Sequence, residues 1–229
     1  MRPALPAAAL LALAAALPAV ADTPLQKALA ASADGPAYMF DLSYDGEELT
    51  AKMRVDPSRP EGERMTLLSP AAADLTDEGR KQFESMREKS KGDIWCADFA
   101  DTVPTDAKLV SETGTTATYE FTPVPGKETD KDLRKIIKYM KGAVTVSKET
   151  PGIVGFELTS KKAFKPMPIA KVESFRMNVA CGFAPDGRTH VTDLTVDISG
   201  SALMKKFTQS ERQTISNLVA LPETASGQK

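Results

Sequence analysis

The strongest constraint on the fold is an alternation of apolar and polar residues between Gly142 and Phe183. In the segment AKVESFRMNVACGF, residues 170–183, every second side chain from Phe175 onward is apolar, and Arg176 and Asn178 lie between them. Successive side chains of a strand point to opposite faces, so this pattern predicts a strand with one buried face. The preceding segments GAVTVSKE and PGIVGFELTS predict two more strands, separated by turn residues. We therefore expect one large antiparallel sheet built outward from this region.

The region before residue 70 predicts a further group of strands. Ala37–Tyr44 alternates, Asp45-Gly46 is typical of a hairpin turn, and Leu49–Val55 alternates on the return. Glu63–Ser69 predicts the third strand of this group. Elsewhere the patterns predict strands at Lys108–Glu112, Thr115–Thr122 and Thr189–Gly200, and they favour strands over a helix at Ser201–Leu221.

Three segments predict helices. Thr23–Ser32 carries a short apolar stripe, and Thr76–Lys91 has Thr76 as a plausible N-cap with acidic residues in its first turn. Thr129–Met140 has apolar residues at helical spacing and many lysines on its other faces. Those lysines indicate either a solvated face or a docking face for an anionic lipid surface or an acidic partner.

These elements predict a mainly β protein with helices, of the α+β class. About ten strands at roughly 4.8 Å spacing make a sheet some 45 Å wide, whereas a helix covers a strip about 10 Å across. Because a wide twisted sheet tends to curl, we expect a curved antiparallel sheet forming an incomplete barrel, with two or three helices on its concave side. The expected organisation is a single domain over residues 22–221 and a disordered tail over residues 222–229.

The first 21 residues have the three-part pattern of a secretory signal peptide. Arg2 precedes an apolar stretch, and Ala19-Val20-Ala21 fits a cleavage site after Ala21. A membrane anchor is the alternative, but the apolar run is short and contains two prolines. We therefore predict an exported, periplasmic protein without a transmembrane segment in its mature form.

Two cysteines, Cys96 and Cys181, follow this leader. In an oxidising compartment two thiols usually pair, so a disulfide is predicted, and two buried free thiols are the alternative. A metal site is not expected, because the chain has one histidine and its cysteines lack ligand spacing. The charges, 29 basic and 31 acidic side chains, argue against a nucleic-acid partner.

Motifs for catalysis or for cofactor binding are not apparent in the sequence. His190 is the single histidine, and a structural role is favoured for it over that of a general base. Ser199-Gly200-Ser201 is more simply a bend between strands than a nucleophile turn. The prediction is a protein that is not an enzyme and that needs no cofactor.

A wide sheet with few helices should keep an apolar surface that its own helices do not cover, and such surfaces usually bind a partner or ligand. The alternative is that the same side chains fill a dry core. The candidate ligand-lining residues are Tyr38, Phe40, Leu42, Phe121, Phe156, Phe175 and Met177.

The segment GAVTVSKETPGIVGFELTSKKAF at Gly142–Phe164, where a strand ends in Thr150-Pro151-Gly152 and another alternating strand follows, carries a family resemblance. With the order of predicted elements over Ala37–Leu221, it resembles the periplasmic lipoprotein carriers, a half-barrel superfamily. The resemblance implies an incomplete barrel that binds acyl chains or another apolar ligand on its concave side. The predicted function is thus a periplasmic, non-enzymatic carrier for a lipid or apolar small molecule. The alternative is an interaction or sensor module for another envelope protein.

Overall fold

A computed structural model of the protein describes residues 23–126 and 131–222. Both the predicted signal peptide and all but the first residue of the predicted tail lie outside these residues. The described chain forms an eleven-stranded sheet in which all paired strands are antiparallel. Its strands are β1 Tyr38–Asp45, β2 Thr50–Val55, β3 Met65–Ser69, β4 Lys108–Glu112, β5 Thr116–Phe121, β6 Met140–Ser147, β7 Gly152–Ser160, β8 Phe164–Met167, β9 Ala170–Phe183, β10 Thr189–Ala202 and β11 Lys205–Ala220.

The sheet is open, with β3 at one edge and β4 at the other. The strand order is β3-β2-β1-β11-β10-β9-β7-β6-β5-β4, and β8 pairs with β9 outside this path. The first and last strands, β1 and β11, are therefore neighbours in the interior of the sheet. The predicted large antiparallel sheet is confirmed, including its strands over residues 201–221.

The helices of the described residues are few and short. The α-helices are α1 Pro24–Leu29, α2 Asp77–Lys89 and α3 Lys131–Ile136; 3-10 helices span Ala72–Asp74, Cys96–Thr102 and Ile137–Tyr139. The predicted cap of α2 is confirmed, because the Thr76 hydroxyl accepts a hydrogen bond from the Gly79 amide at 3.0 Å. Among these helices, none is both long and apolar enough to cross a bilayer.

The helix predicted over Thr129–Met140 ends earlier than expected. Residues 127–130 lie outside the described part, and Met140 begins β6 instead of ending the helix. Met140 pairs with Ser160 of β7, and the Lys161 amide donates to the Tyr139 carbonyl. Met140 fits both the helical stripe and the alternation that continues through Val144, and pairing with β7 decides in favour of the strand.

One face of the sheet carries the core, and we call it the core face. Directly paired residues of an antiparallel sheet point to the same side. The pairings define one row of side chains across the core face: Ala51, Tyr44, Gln213, Leu194, Val179, Phe156, Val144 and Tyr119. These eight residues are buried toward both ends and only half-buried at Gln213 and Leu194, and beyond Tyr119 the row continues to the exposed Leu109 of β4.

Separate apolar clusters bury the two ends of the core face. Near β4, α1 and the 3-10 helix Cys96–Thr102 pack on β5, β6 and β7. Near β3, Phe83 of α2 packs with side chains of β1 and β2. A third, smaller cluster forms around Met140 and Phe164. The two main clusters thus occupy opposite ends of one sheet.

Polar side chains cover the opposite face of the central strands. Asp41 of β1 accepts hydrogen bonds from Arg54 and Asn217, and Asp193 of β10 accepts from Arg212. These pairs join neighbouring strands across the sheet. One face is therefore solvated and hydrogen-bonded, which leaves the core face to bury apolar groups.

Candidate functional site

Between the two main clusters, the core face is only partly buried, at β9, β10 and β11. Here Phe175 is paired with Ile198 and Met177 with Val196, and all four side chains are half-buried. On the side of β10 away from β9 lies β11, and its polar residues Gln209, Glu211 and Gln213 are paired with apolar residues of β10. We call these seven residues the central strip: Phe175, Met177, Val196, Ile198, Gln209, Glu211 and Gln213.

The central strip has an apolar side and a polar side that meet along β10. Glu211 lies opposite Val196, and Gln209 lies opposite Ile198. Toward β7, the apolar side continues into Leu158, which is buried in the first cluster. Val196 belongs to none of the clusters formed by the described residues. This arrangement provides an apolar floor with hydrogen-bonding groups along one edge, as an amphiphilic ligand requires.

A hydrogen-bonded group of three side chains links α2 to the polar side of the strip. The Tyr44 hydroxyl donates to the Glu211 carboxylate at 3.0 Å and accepts from the Gln82 amide at 3.3 Å. Burial, followed by the charge and hydrogen bond of Glu211, raises the pKa of Tyr44 to about 12. At neutral pH the Tyr44 hydroxyl keeps its proton and donates it in the hydrogen bond that holds the Glu211 carboxylate in place.

The predicted lining residues divide into two groups. Phe175 and Met177 lie in the central strip, where they remain half-exposed to solvent. The other five are buried in the interior on the core face: Tyr38, Phe40, Leu42, Phe121 and Phe156. Phe156, for example, stacks on Phe99 with ring centroids 4.6 Å apart. Their packing is that of core residues, whereas Phe175 and Met177 are only half-buried.

Sequence reasoning missed the polar side of the strip. The alternation of β10 places Val196 and Ile198 on one face, but the polar run Thr208–Thr214 predicts an edge hairpin, which is wrong because β11 is one strand between β1 and β10. Only the pairing of β11 with β1 shows that these polar residues face the same side as the buried Tyr44. The spacing of two residues between Gln209, Glu211 and Gln213 is the sequence signal that they share one face of a strand.

Arg188 forms a second buried polar arrangement away from the strip. Its guanidinium donates to the carbonyls of Ala33 and Pro36 at 2.6 and 2.5 Å, and it lies 3.6 Å from the centre of the Trp95 ring. Burial acts to raise the pKa of Asp186, but hydrogen bonds and charge from Arg188 outweigh it, so that pKa is lowered. This arrangement ties the segment after α1 to the sheet.

The two cysteines and the single histidine lie within the packed part of the molecule. Cys96 and Cys181 form a disulfide that joins the 3-10 helix to β9, as predicted. His190 is buried beside Trp95, and its Nδ1 lies 2.9 Å from the Val191 carbonyl oxygen. In the described part of the chain, no group of three or more His, Cys, Asp or Glu side chains is placed to hold a metal ion.

A depression of about 460 Å³ lies on the solvated face where β1, β2 and β11 meet. Asp45, Lys52 and Arg212 are among its lining residues, and it opens broadly to solvent. Comparison with protein families, curated proteins and solved structures finds no match for this chain. A functional proposal therefore rests on the sequence and the geometry of the chain itself.

Proposed function

We propose that this protein is an exported, non-enzymatic binding or carrier protein that holds a lipid or acyl chain along the central strip. The observation that carries the proposal is the lower burial of the core face between its two main clusters. There, half-buried apolar residues of β9 and β10 lie beside a polar run on β11. An acyl chain would cover the apolar side, and its head group would meet Gln209, Glu211 or Gln213.

The energetics suit reversible binding. Burying one methylene contributes about 0.8 kcal/mol, so about ten methylenes offer roughly 8 kcal/mol, which corresponds to a dissociation constant near 1 μM before ordering costs. Beside the Glu211 carboxylate, the side-chain amides of Gln209 and Gln213 can donate hydrogen bonds to the oxygens of a head group.

We also propose that the protein resides in the periplasm and that its sheet is curved. Export through the segment 1–21 and residence in the periplasm are compatible with the disulfide between Cys96 and Cys181. We further propose that the sheet curves toward the face carrying α1 and α2, which would make the central strip the floor of a half-barrel. The resemblance to the lipoprotein carriers supports this reading.

A blocking substitution tests the site. Val196→Trp would fill the strip without burying a charge, and we expect it to weaken binding of a fluorescent fatty acid at least tenfold. The matched control is Thr195→Trp, the neighbouring residue on the solvated face, which should bind as the original protein does. Unchanged binding by Val196→Trp would refute the proposed site.

Native mass spectrometry of protein purified from the envelope tests the class of ligand. We expect a species heavier than the polypeptide by the mass of a lipid, and we expect Val196→Trp to reduce it. Only the bare polypeptide mass, together with no fatty-acid binding, would remove the carrier function.

A second candidate function, an envelope interaction module, is favoured by the edge strand β4. Every residue of Lys108–Glu112 is exposed, and the side chains of Leu109 and Val110 are half-exposed. Among the described residues β4 is an edge strand, and such an edge can accept a strand from another protein. Leu109→Glu with Val110→Glu should release a partner bound there and leave fatty-acid binding unchanged, whereas loss of fatty-acid binding would count against this reading.

A further inference from the structure

Two hairpin turns lie side by side at one end of the longest strands. The β8–β9 turn contains Pro168 and Ile169, and the β10–β11 turn contains Leu203 and Met204. The Leu203 amide donates to the Ile169 carbonyl at 3.0 Å, which fastens one turn to the other. We call residues 165–171 and 201–206 together the tip.

The tip presents large apolar side chains to solvent. Single exposed apolar residues are ordinary on protein surfaces, but neighbouring ones indicate a contact site. The exposed fractions are 57% for Met167, 60% for Ile169, 68% for Leu203 and 100% for Met204. Between the two turns lies a shallow depression of about 460 Å³.

The backbone of the β10–β11 turn makes these side chains more unusual. Leu203 and Met204 have φ angles of 51° and 67°, in the left-handed region. A two-residue hairpin turn of this kind strongly prefers Asn-Gly, because a β-carbon is strained there. The turn therefore carries two bulky apolar residues at positions where polar or small ones would be more stable.

The tip and its flanks are strongly basic. Residues 160–173 and 199–208 contain six lysines and one acidic residue, although the whole chain has a net charge of −2. The acidic residue, Glu173, is paired with Lys171 at 2.6 Å. The lysines are Lys161, Lys162, Lys165, Lys171, Lys205 and Lys206. Such a local excess attracts an anionic surface.

We propose that the tip docks on the surface of an anionic phospholipid bilayer. Met204, Leu203 and Ile169 enter the interfacial region, and the surrounding lysines contact the head groups. The combination favours a bilayer over a protein partner, because the exposed Met204, Leu203 and Ile169 can enter the interface while long lysine side chains reach the head groups. This docking does not require a ligand in the central strip.

Flotation with vesicles tests the proposal, using protein that lacks residues 1–21. At about 0.1 M salt, where charges are screened beyond about 10 Å, we expect binding to vesicles of phosphatidylglycerol and phosphatidylethanolamine. We expect little binding to phosphatidylcholine alone. Equal binding to both, or no binding at any content of anionic lipid, would overturn the proposal; the second result would point to an acidic protein surface instead.

Leu203→Asn with Met204→Gly separates docking from folding. This pair suits the turn backbone, so thermal stability should stay the same or rise, while vesicle binding falls at least about tenfold. The control, Leu109→Ser with Val110→Ser, removes two exposed apolar residues of β4 and should bind vesicles normally. Unchanged vesicle binding by the Asn-Gly variant would contradict the role of the tip.

Substituting the lysines tests the electrostatic part of docking independently, through vesicle binding. Each lysine near an anionic membrane strengthens binding about fivefold, so Lys205→Glu with Lys206→Glu should weaken it at least about 25-fold. Tip variants should still bind a fluorescent fatty acid, and Val196→Trp should still bind vesicles. Failure of docking is therefore distinguishable from failure of the proposed ligand site, and equal vesicle binding by the Glu variant would refute the electrostatic part.

Discussion

Arg188 is a single residue whose side chain joins parts of the chain more than 150 residues apart. It bonds to two carbonyls of the segment after α1, to Asp186 in its own turn, and to the face of Trp95. Because its side chain is about 10% exposed, water cannot replace these bonds. The residue therefore acts as a structural tie between the N-terminal segment and the sheet.

We expect Arg188→Ala to lower the free energy of unfolding by about 2 kcal/mol, since it removes the donor from two part-buried carbonyls and from the Asp186 carboxylate. Urea denaturation followed by the emission of Trp95, the one tryptophan, measures this loss. The control is Arg212→Ala, which removes an exposed arginine paired with Asp193 and should cost less than about 1 kcal/mol. Equal losses for the two variants would contradict the assigned role of Arg188.

Tyr44 provides a test of burial beside the strip. Its pKa is raised to about 12, whereas tyrosine in an unfolded chain titrates near 10. Between these values the unfolded state loses a proton that the folded state keeps. The contribution of Tyr44 to stability is therefore complete below pH 10 and declines as the pH rises toward 12.

Ultraviolet titration of the four tyrosines, compared with the same titration of Tyr44→Phe, isolates this group. The difference curve should have its midpoint near pH 12. A midpoint near 10 would show that Tyr44 is solvated and that the contact with Glu211 does not form.

At the scale of elements, the disulfide between Cys96 and Cys181 fastens the 3-10 helix Cys96–Thr102 to the sheet. The 3-10 helix Cys96–Thr102 contacts β7 and β10, and the bridge fastens its first residue to β9. The two cysteines are 85 residues apart, so the bridge removes considerable freedom from the unfolded chain.

Replacing both cysteines by alanine should lower stability by about 4 kcal/mol on the chain-entropy account. Chemical denaturation of this variant, beside the original protein with and without a reducing agent, measures the effect. The reduced original protein should approach the stability of the variant. If the free energy of unfolding falls by less than about 1 kcal/mol, packing alone holds the 3-10 helix on the sheet.

Element prediction succeeded where one local signal dominated. α2 has a capping threonine, an acidic first turn and an apolar stripe, and its predicted start was correct. At Met140 helical and strand periodicities coincide, so only the pairing with β7 separates them. The turn at Leu203 and Met204 lacks the usual turn residues, which is why the β10–β11 hairpin was hard to place from the sequence.

At the scale of the whole molecule, the decisive event is the pairing of the first strand with the last. This pairing brings β11 between β1 and β10 and aligns its polar residues with the core face. Two apolar clusters then form at opposite ends of the sheet, and the middle remains less covered. Both proposed surfaces, the central strip and the tip, lie along β9, β10 and β11.

Local patterns in the sequence determined the strand alternation, most helix positions, the large antiparallel sheet and the pairing of Cys96 with Cys181. Each of these follows from the periodicity of side chains along an extended or helical backbone, or from the presence of only two thiols. Tertiary structure alone decided which apolar residues became core and which stayed half-exposed. Burial depends on the neighbours brought by strand order, and the pairing of β1 with β11 joins segments that no local pattern connects.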